Sequence, residues 1–228
     1  MIRAYLFDLE GTLIDGALAH ERAADEVYGI LARFRPKLTK EQFQRQFAGS
    51  LRMNVRGRGG APASPQAVYA ERFKRTLTWL GEEDDNLARR LGRLYASLLL
   101  DRSAAYPDAT AALPVLARQA TIAVVANGSE AALRRQIESA GLARYVTAVF
   151  GSQEVGHAKP EPELVSHALE ALEIPPAEAL VVGDASETDI AAARAAGVAA
   201  AWVNRAGRKW PEGVARPVRI ISALTELL

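Results

Sequence analysis

Short apolar runs that stop at glycine or a polar residue recur along this chain and limit its fold more than any other feature. "IRAYLF", residues 2 to 7, ends at Asp8 and Gly11; "TIAVVA" ends at Asn127-Gly128, "VTAVF" at Gly151, "ALVV" at Gly183-Asp184 and "VAAAWV" at Asn204, with "VRII" near the C-terminus a sixth candidate. That is how a buried strand meets a loop. Helical patterns lie between most of these runs, such as Glu130 to Ala140, which carries Leu133 and Ile137 on one face and Gly141 as a stop signal. Strands separated by helices predict a parallel sheet with crossover connections.

From about Gly16 to Ser103 the pattern changes, with four helical segments in succession and no strand-like run. Thr39 with Gln42 predicts a capping box, and Ser64-Pro65 sets a cap and a first-turn proline before "QAVYAERFKRTLTWL". The expected architecture is α/β: a doubly wound, Rossmann-like core of residues 1–15 and 104–228 carrying an inserted all-helical cap, residues 16–103. In such sheets ligands bind outside the carboxyl ends of the strands, where strand order reverses. Asp8, Glu10, Asn127, Gly128, Asp184 and Asp189 all sit in that punctuation and can converge.

Composition narrows the chemistry. A chain of 228 residues with 49% hydrophobic content supplies a real core. Its net charge of +1 creates no overall field to draw nucleic acid or an anionic membrane, so neither is expected as a partner. The absence of cysteine excludes disulfides, thiolate metal sites and a thiol nucleophile. No signal-peptide core and no apolar run of membrane-spanning length is present, and a cytoplasmic location is expected.

Carboxylates gathered at one strand-end face repel one another and need a cation; an all-oxygen set suits Mg²⁺, and Mg²⁺ suggests a phosphate substrate. A carboxylate beside that ion can act as a nucleophile and form an aspartyl phosphate. The leaving alkoxide then needs a proton, which Glu10, two residues beyond Asp8, is placed to supply.

"FDLEGTLID", "VVANGS", "HAKPEPE" and "VVGDASETDIAAARAAG" resemble, in order, the four motifs of the haloacid dehalogenase-like (HAD) hydrolase superfamily. The helical insert resembles the type-one cap of its phosphoglycolate phosphatase, β-phosphoglucomutase and 2-haloacid dehalogenase branch. The resemblance implies Asp8 as nucleophile and metal ligand, and Glu10 as acid/base that lends its backbone carbonyl to the metal. It implies Asp184 as a further metal ligand, Asp189 as a second acid in the metal set that orients water or Lys159, and Lys159 as the counter-charge to phosphate and Asp8. Thr12, Asn127 and Gly128 would position phosphate oxygens or the nucleophile loop.

Two positions depart from the family pattern: Glu10 stands where Asp is usual, and Ala126 where a Ser or Thr hydroxyl meets the phosphate. Glu at the first of these also occurs in enolase-phosphatase-like members. Losing one hydrogen bond to a charged group costs about 1.5–3 kcal/mol, so weakened activity is expected, with Ser129 or the Gly128 N–H as possible substitutes. The expected substrate is a small phosphorylated metabolite and the expected cofactor Mg²⁺. A phosphosugar mutase shares every core residue named, and a non-catalytic phosphate- or partner-binding module is the rival outside enzymes. A 2-haloacid dehalogenase has no use for Glu10, because halide leaves without a proton. The loop at residues 49–65, with Arg52, Arg56 and Arg58, could grip an anionic substrate or be a solvated loop. His20, His157 and the basic stretch "VNRAGRKWPEGVARP" are expected on the surface.

Overall fold

The computed structural model describes residues 1–51, 64–212 and 216–228. The chain divides into two compact units, Met1–Gly16 with Ser103–Leu228, and Ala17–Arg102.

The first unit holds a six-stranded sheet, built from β1 (Ala4–Phe7), β2 (Thr121–Ala126), β3 (Ala148–Gly151), β4 (Ala179–Gly183), β5 (Ala199–Val203) and β6 (Arg219–Ile221). All neighbours are parallel, in the order β3-β2-β1-β4-β5-β6. Side chains alternate across the sheet as the strand period of two requires. Phe7, Ile122, Val124, Leu180 and Val182 face one apolar layer; Leu6, Ala123, Val125, Ala179 and Val181 face the other. The first layer is completed from α5 (Pro107–Leu116) and α6 (Glu130–Ser139), through Leu113, Leu116, Leu133 and Ile137. The second is completed from α8 (Glu163–Leu172), which follows the single turn α7 (Ser152–Val155), and from α9 (Ala191–Ala195). Both faces are therefore buried, as the expected doubly wound fold demands.

Chain order runs outward from β1 to β3 on one side and resumes at β4 on the other. The reversal falls at β1, whose Phe7 pairs with Val124 of β2 and Val182 of β4. Loops leaving these three strands thus meet at one point.

The second unit is helical: α1 (Gly16–Phe34), α2 (Lys40–Leu51), α3 (Pro65–Trp79) and α4 (Asp85–Asp101). Thr39 and Gln42 form the expected reciprocal cap, with Gln42 N–H on Thr39 Oγ1 at 3.2 Å and Thr39 N–H on Gln42 Oε1 at 3.0 Å. Ser64 caps α3 ahead of Pro65. Phe43, Phe47, Phe73 and Tyr95 form its aromatic centre, and α3 meets α4 so closely that a Cβ on Gly92 would stand 2.4 Å from the Ala70 nitrogen. His20 is not the surface residue expected: it is half-buried, its Nδ1 3.0 Å from the Tyr95 hydroxyl. No helix among the described residues is long and apolar enough to cross a membrane.

Candidate active site

The loop after β1 carries Asp8 and Glu10 and turns at Gly11, whose φ is +81°. Left-handed backbone is strained for residues with a Cβ. Space forbids one as well, since a Cβ there would lie 2.7 Å from the Asp184 carboxyl carbon. The tight turn is closed by Gly11 N–H on Ile14 O at 2.9 Å and Leu13 N–H on Leu9 O at 2.9 Å. Arg205 then holds it from β5's side, donating to Gly11 O at 2.7 Å and Thr12 O at 2.9 Å while paired with Asp108 at 2.8 Å. This corrects the expectation of an exposed turn for the start of the basic stretch: Arg205 is partly buried and buttresses the loop that carries Asp8 and Glu10.

Lys159 organises the charges. Its side chain is 3% exposed, and its Nζ lies 2.6 Å from both Asp8 Oδ1 and Asp189 Oδ1. Two carboxylates so close keep its pKa raised against the opposing pull of burial. Asp189 is also fixed through its other oxygen, which accepts from Ala185 N–H at 3.0 Å. Gly183 leaves the room for this, as a Cβ on it would stand 2.4 Å from the Asp189 carboxyl carbon. Asn127 clamps the lysine's backbone, donating to Lys159 O at 3.0 Å and accepting from Lys159 N–H at 2.9 Å.

Burial pushes the Asp8 carboxyl up to about 7, aided by the Asp189 charge and opposed by Lys159 and by the Leu9 N–H. Asp184 is raised too, first by burial and then by Asp189. Its backbone oxygen accepts from Trp202 Nε1 and from Arg208, each at 2.7 Å. These groups line a cavity of about 270 Å³ at the sheet's switch point, with Asp8, Glu10, Asn127, Lys159, Asp184 and Asp189 in its wall beside Ala126, Leu133 and Gln136.

A family model of haloacid dehalogenase-like hydrolases matches residues 2–197. The chain belongs to this family. It is 32% identical to pyrimidine 5′-nucleotidase YjjG of Escherichia coli over 83% of its own length and 82% of that protein's. It is 27% identical to the N-acylneuraminate-9-phosphatase of Mus musculus over 99% and 92%. The crystal structure of the HAD-hydrolase YfnB of Bacillus subtilis superposes on it with a TM-score of 0.74, at 23% identity, over 99% of this chain and 96% of that one.

As a metal centre of a HAD-like hydrolase, the donor set fits a hard divalent cation. Asp8, Asp184 and Asp189 offer carboxylate oxygens that lie within 4.8 Å of one another, and burial, with the Asp189 charge second in raising them, holds the carboxyls of Asp8 and Asp184 above their ordinary range. Lys159 and Ala185 N–H already engage the two oxygens of Asp189, whereas Lys159 engages one of Asp8.

Two expected residues stand apart from the cavity wall. Thr12 is fully buried, and its hydroxyl has no partner among the described residues. Gly128 turns its N–H to Ser152 Oγ at 3.0 Å. Of the two proposed substitutes for the missing hydroxyl at Ala126, the Gly128 N–H is thus engaged, while Ser129 accepts from Ala132 N–H at 3.3 Å as the cap of α6 and keeps its own O–H proton to donate. Arg52, Arg56 and Arg58 lie outside the described residues. His157 is exposed, as expected, and pairs with Glu161 at 2.9 Å. Sequence reasoning missed Gln136, whose Nε2 donates to Glu10 Oε1 at 2.7 Å. Its signal was a polar residue on the Leu133–Ile137 face of α6.

Proposed function

We propose that this HAD-like hydrolase is a Mg²⁺-dependent phosphomonoesterase acting on a small phosphorylated metabolite through an aspartyl phosphate on Asp8. The observation that carries it is the buried lysine shared by Asp8 and Asp189, with Asp184 within ligand distance and a second acid, Glu10, in the same wall. The relatives named above, a nucleotidase and a phosphatase, support the same class.

In this reading Asp8 attacks phosphorus as the ester P–O bond breaks, and Glu10 gives its proton to the departing oxygen. Glu10 then takes a proton from water as that water attacks phosphorus and frees Asp8 with release of phosphate. Lys159 offsets the charge on Asp8 and the phosphate, and Asn127 fixes Lys159. Asp189 holds the lysine and Ala185 N–H in place. Asp8 and Asp184, with the Glu10 backbone carbonyl, would hold Mg²⁺. When bound, the ion supplies charge stabilisation at the phosphate oxygens and favours ionised Asp8.

The test is a screen of phosphate esters with and without Mg²⁺. Metal-dependent release of phosphate from at least one ester is expected; binding of vanadate with no turnover of any ester points instead to a non-catalytic phosphate-binding protein. A phosphosugar mutase would give an isomerised product with little free phosphate.

Two further outcomes are expected. Asp8 binds a cation only when ionised, and its carboxyl is raised to about 7 in the metal-free protein. Mg²⁺ affinity should therefore rise by up to about tenfold per pH unit below neutrality and level off above it, with proton release on binding. Calorimetric titration from about pH 5.5 to 8.5 checks this, and a flat profile contradicts the raised carboxyl. Ala126 is 3% exposed and lines the cavity. Ala126→Ser restores a hydroxyl at that wall and should raise kcat/KM by about ten- to a hundredfold. An unchanged or lower value means that the phosphate does not contact this position.

A further inference from the structure

Glu10 is an exposed side chain on a loop, one methylene longer than the acid usual at its place. Three rotatable bonds let such a chain wander, whereas proton transfer needs it within hydrogen-bond reach of the reacting oxygen. Gln136 supplies what the loop lacks. It is 5% exposed, stands in the cavity wall, and belongs to a helix pinned in the core by Leu133 and Ile137 and capped by Ser129. Its Nε2 donates to Glu10 Oε1 at 2.7 Å. The other carboxylate oxygen, Oε2, lies 3.8 Å from where a Cβ on Gly16 would stand. A buried amide is unfavourable unless hydrogen-bonded, which favours the contact from the Gln136 side.

We propose that Gln136 is the positioning residue for Glu10, holding the carboxylate of the longer acid at the cavity wall from a rigid helix. This role rests on the phosphomonoesterase reading. A shorter acid at position 10 would draw its carboxylate about one bond back toward the backbone, so the 2.7 Å contact is expected to need the length of the glutamate.

The experiment is a double-mutant cycle on the full chain with Mg²⁺, using Gln136→Met, Glu10→Asp and the pair. Glycerol phosphate has a poor leaving group, and p-nitrophenyl phosphate has one that hardly needs a proton. Gln136→Met should lower kcat for glycerol phosphate by about ten- to a hundredfold, with KM little changed and a smaller loss for p-nitrophenyl phosphate. In the Glu10→Asp background it should cause no further loss. Equal losses for both esters, or the same loss in the Glu10→Asp background, overturn the positioning role alone. A second readout needs no turnover. In the metal-free protein the Gln136 side-chain amide, identified by its disappearance in Gln136→Met, should show a displaced ¹⁵N–¹H signal that returns to the free-amide position in Glu10→Ala. A signal unmoved by Glu10→Ala removes the contact and the proposal with it. A wild-type chain inert toward every ester overturns the phosphomonoesterase reading, and the catalytic role of Gln136 falls with it.

Discussion

Asp8→Asn should cut phosphate-ester turnover by about 10⁴-fold or more, because it removes the proposed nucleophile and would leave only binding and charge stabilisation. The same variant should melt no lower than the wild type at pH 8. Asp8 is raised from an ordinary 3.8 to about 7, chiefly by burial. The folded state therefore holds this proton more tightly than the unfolded chain, and the group's contribution to stability worsens as pH rises from about 4 to about 7. Asparagine carries no such penalty, while Lys159 keeps its 2.6 Å contact with Asp189. Any gain in melting temperature should accordingly vanish near pH 4. Calorimetry beside the activity assay separates the two effects. Retained hydrolysis removes Asp8 as nucleophile, and a lower melting temperature at pH 8 assigns the loss to unfolding.

Lys159→Met acts in the opposite sense on stability. The lysine's pKa is raised, so its favourable contribution is fully present below 10.5 and is lost only above that, outside the working range. Removing it strands Asp8 and Asp189 against each other, with side chains only 14% and 2% exposed. Breaking a buried ion pair from one side costs about 3–5 kcal/mol, which for a chain of this size lowers Tm by very roughly 6–20 °C. The deficit should shrink between pH 8 and pH 5, where Asp8 accepts a proton. Turnover should fall by about 10²–10³-fold from the lost charge stabilisation. A variant melting like the wild type at pH 8 contradicts the charge arrangement described above.

Strand ends were the most legible part of the molecule in sequence, because each apolar run stops where its backbone leaves the sheet. Asp8 and Asp184 follow directly from that punctuation. Helix caps were equally plain, since the Thr39 and Gln42 pair satisfies backbone groups three residues apart. What the sequence hid are contacts that depend on crossing the sheet. Asn127 suits a phosphate contact by its position; what the sequence did not show is that its amide also binds both backbone groups of Lys159, thirty-two residues away. Arg205 looked like part of a solvated basic stretch, and only the parallel placement of β5 brings it under the Gly11 carbonyl. Gln136 carries no motif, and its meaning comes from the helix face it shares with Leu133 and Ile137. Local rules govern turns and caps; distant pairs such as Gln136 with Glu10 depend on tertiary packing.

The central claim is a covalent phosphoryl group on Asp8. The direct test is to quench the Mg²⁺-loaded chain in acid during turnover of p-nitrophenyl phosphate, reduce it with borohydride and sequence the peptides by mass spectrometry. An acyl phosphate is reduced to the alcohol, so homoserine should replace aspartate at position 8 only in the sample given substrate. Homoserine at another position, or intact Asp8 in every peptide from a sample that is visibly turning over, would contradict it.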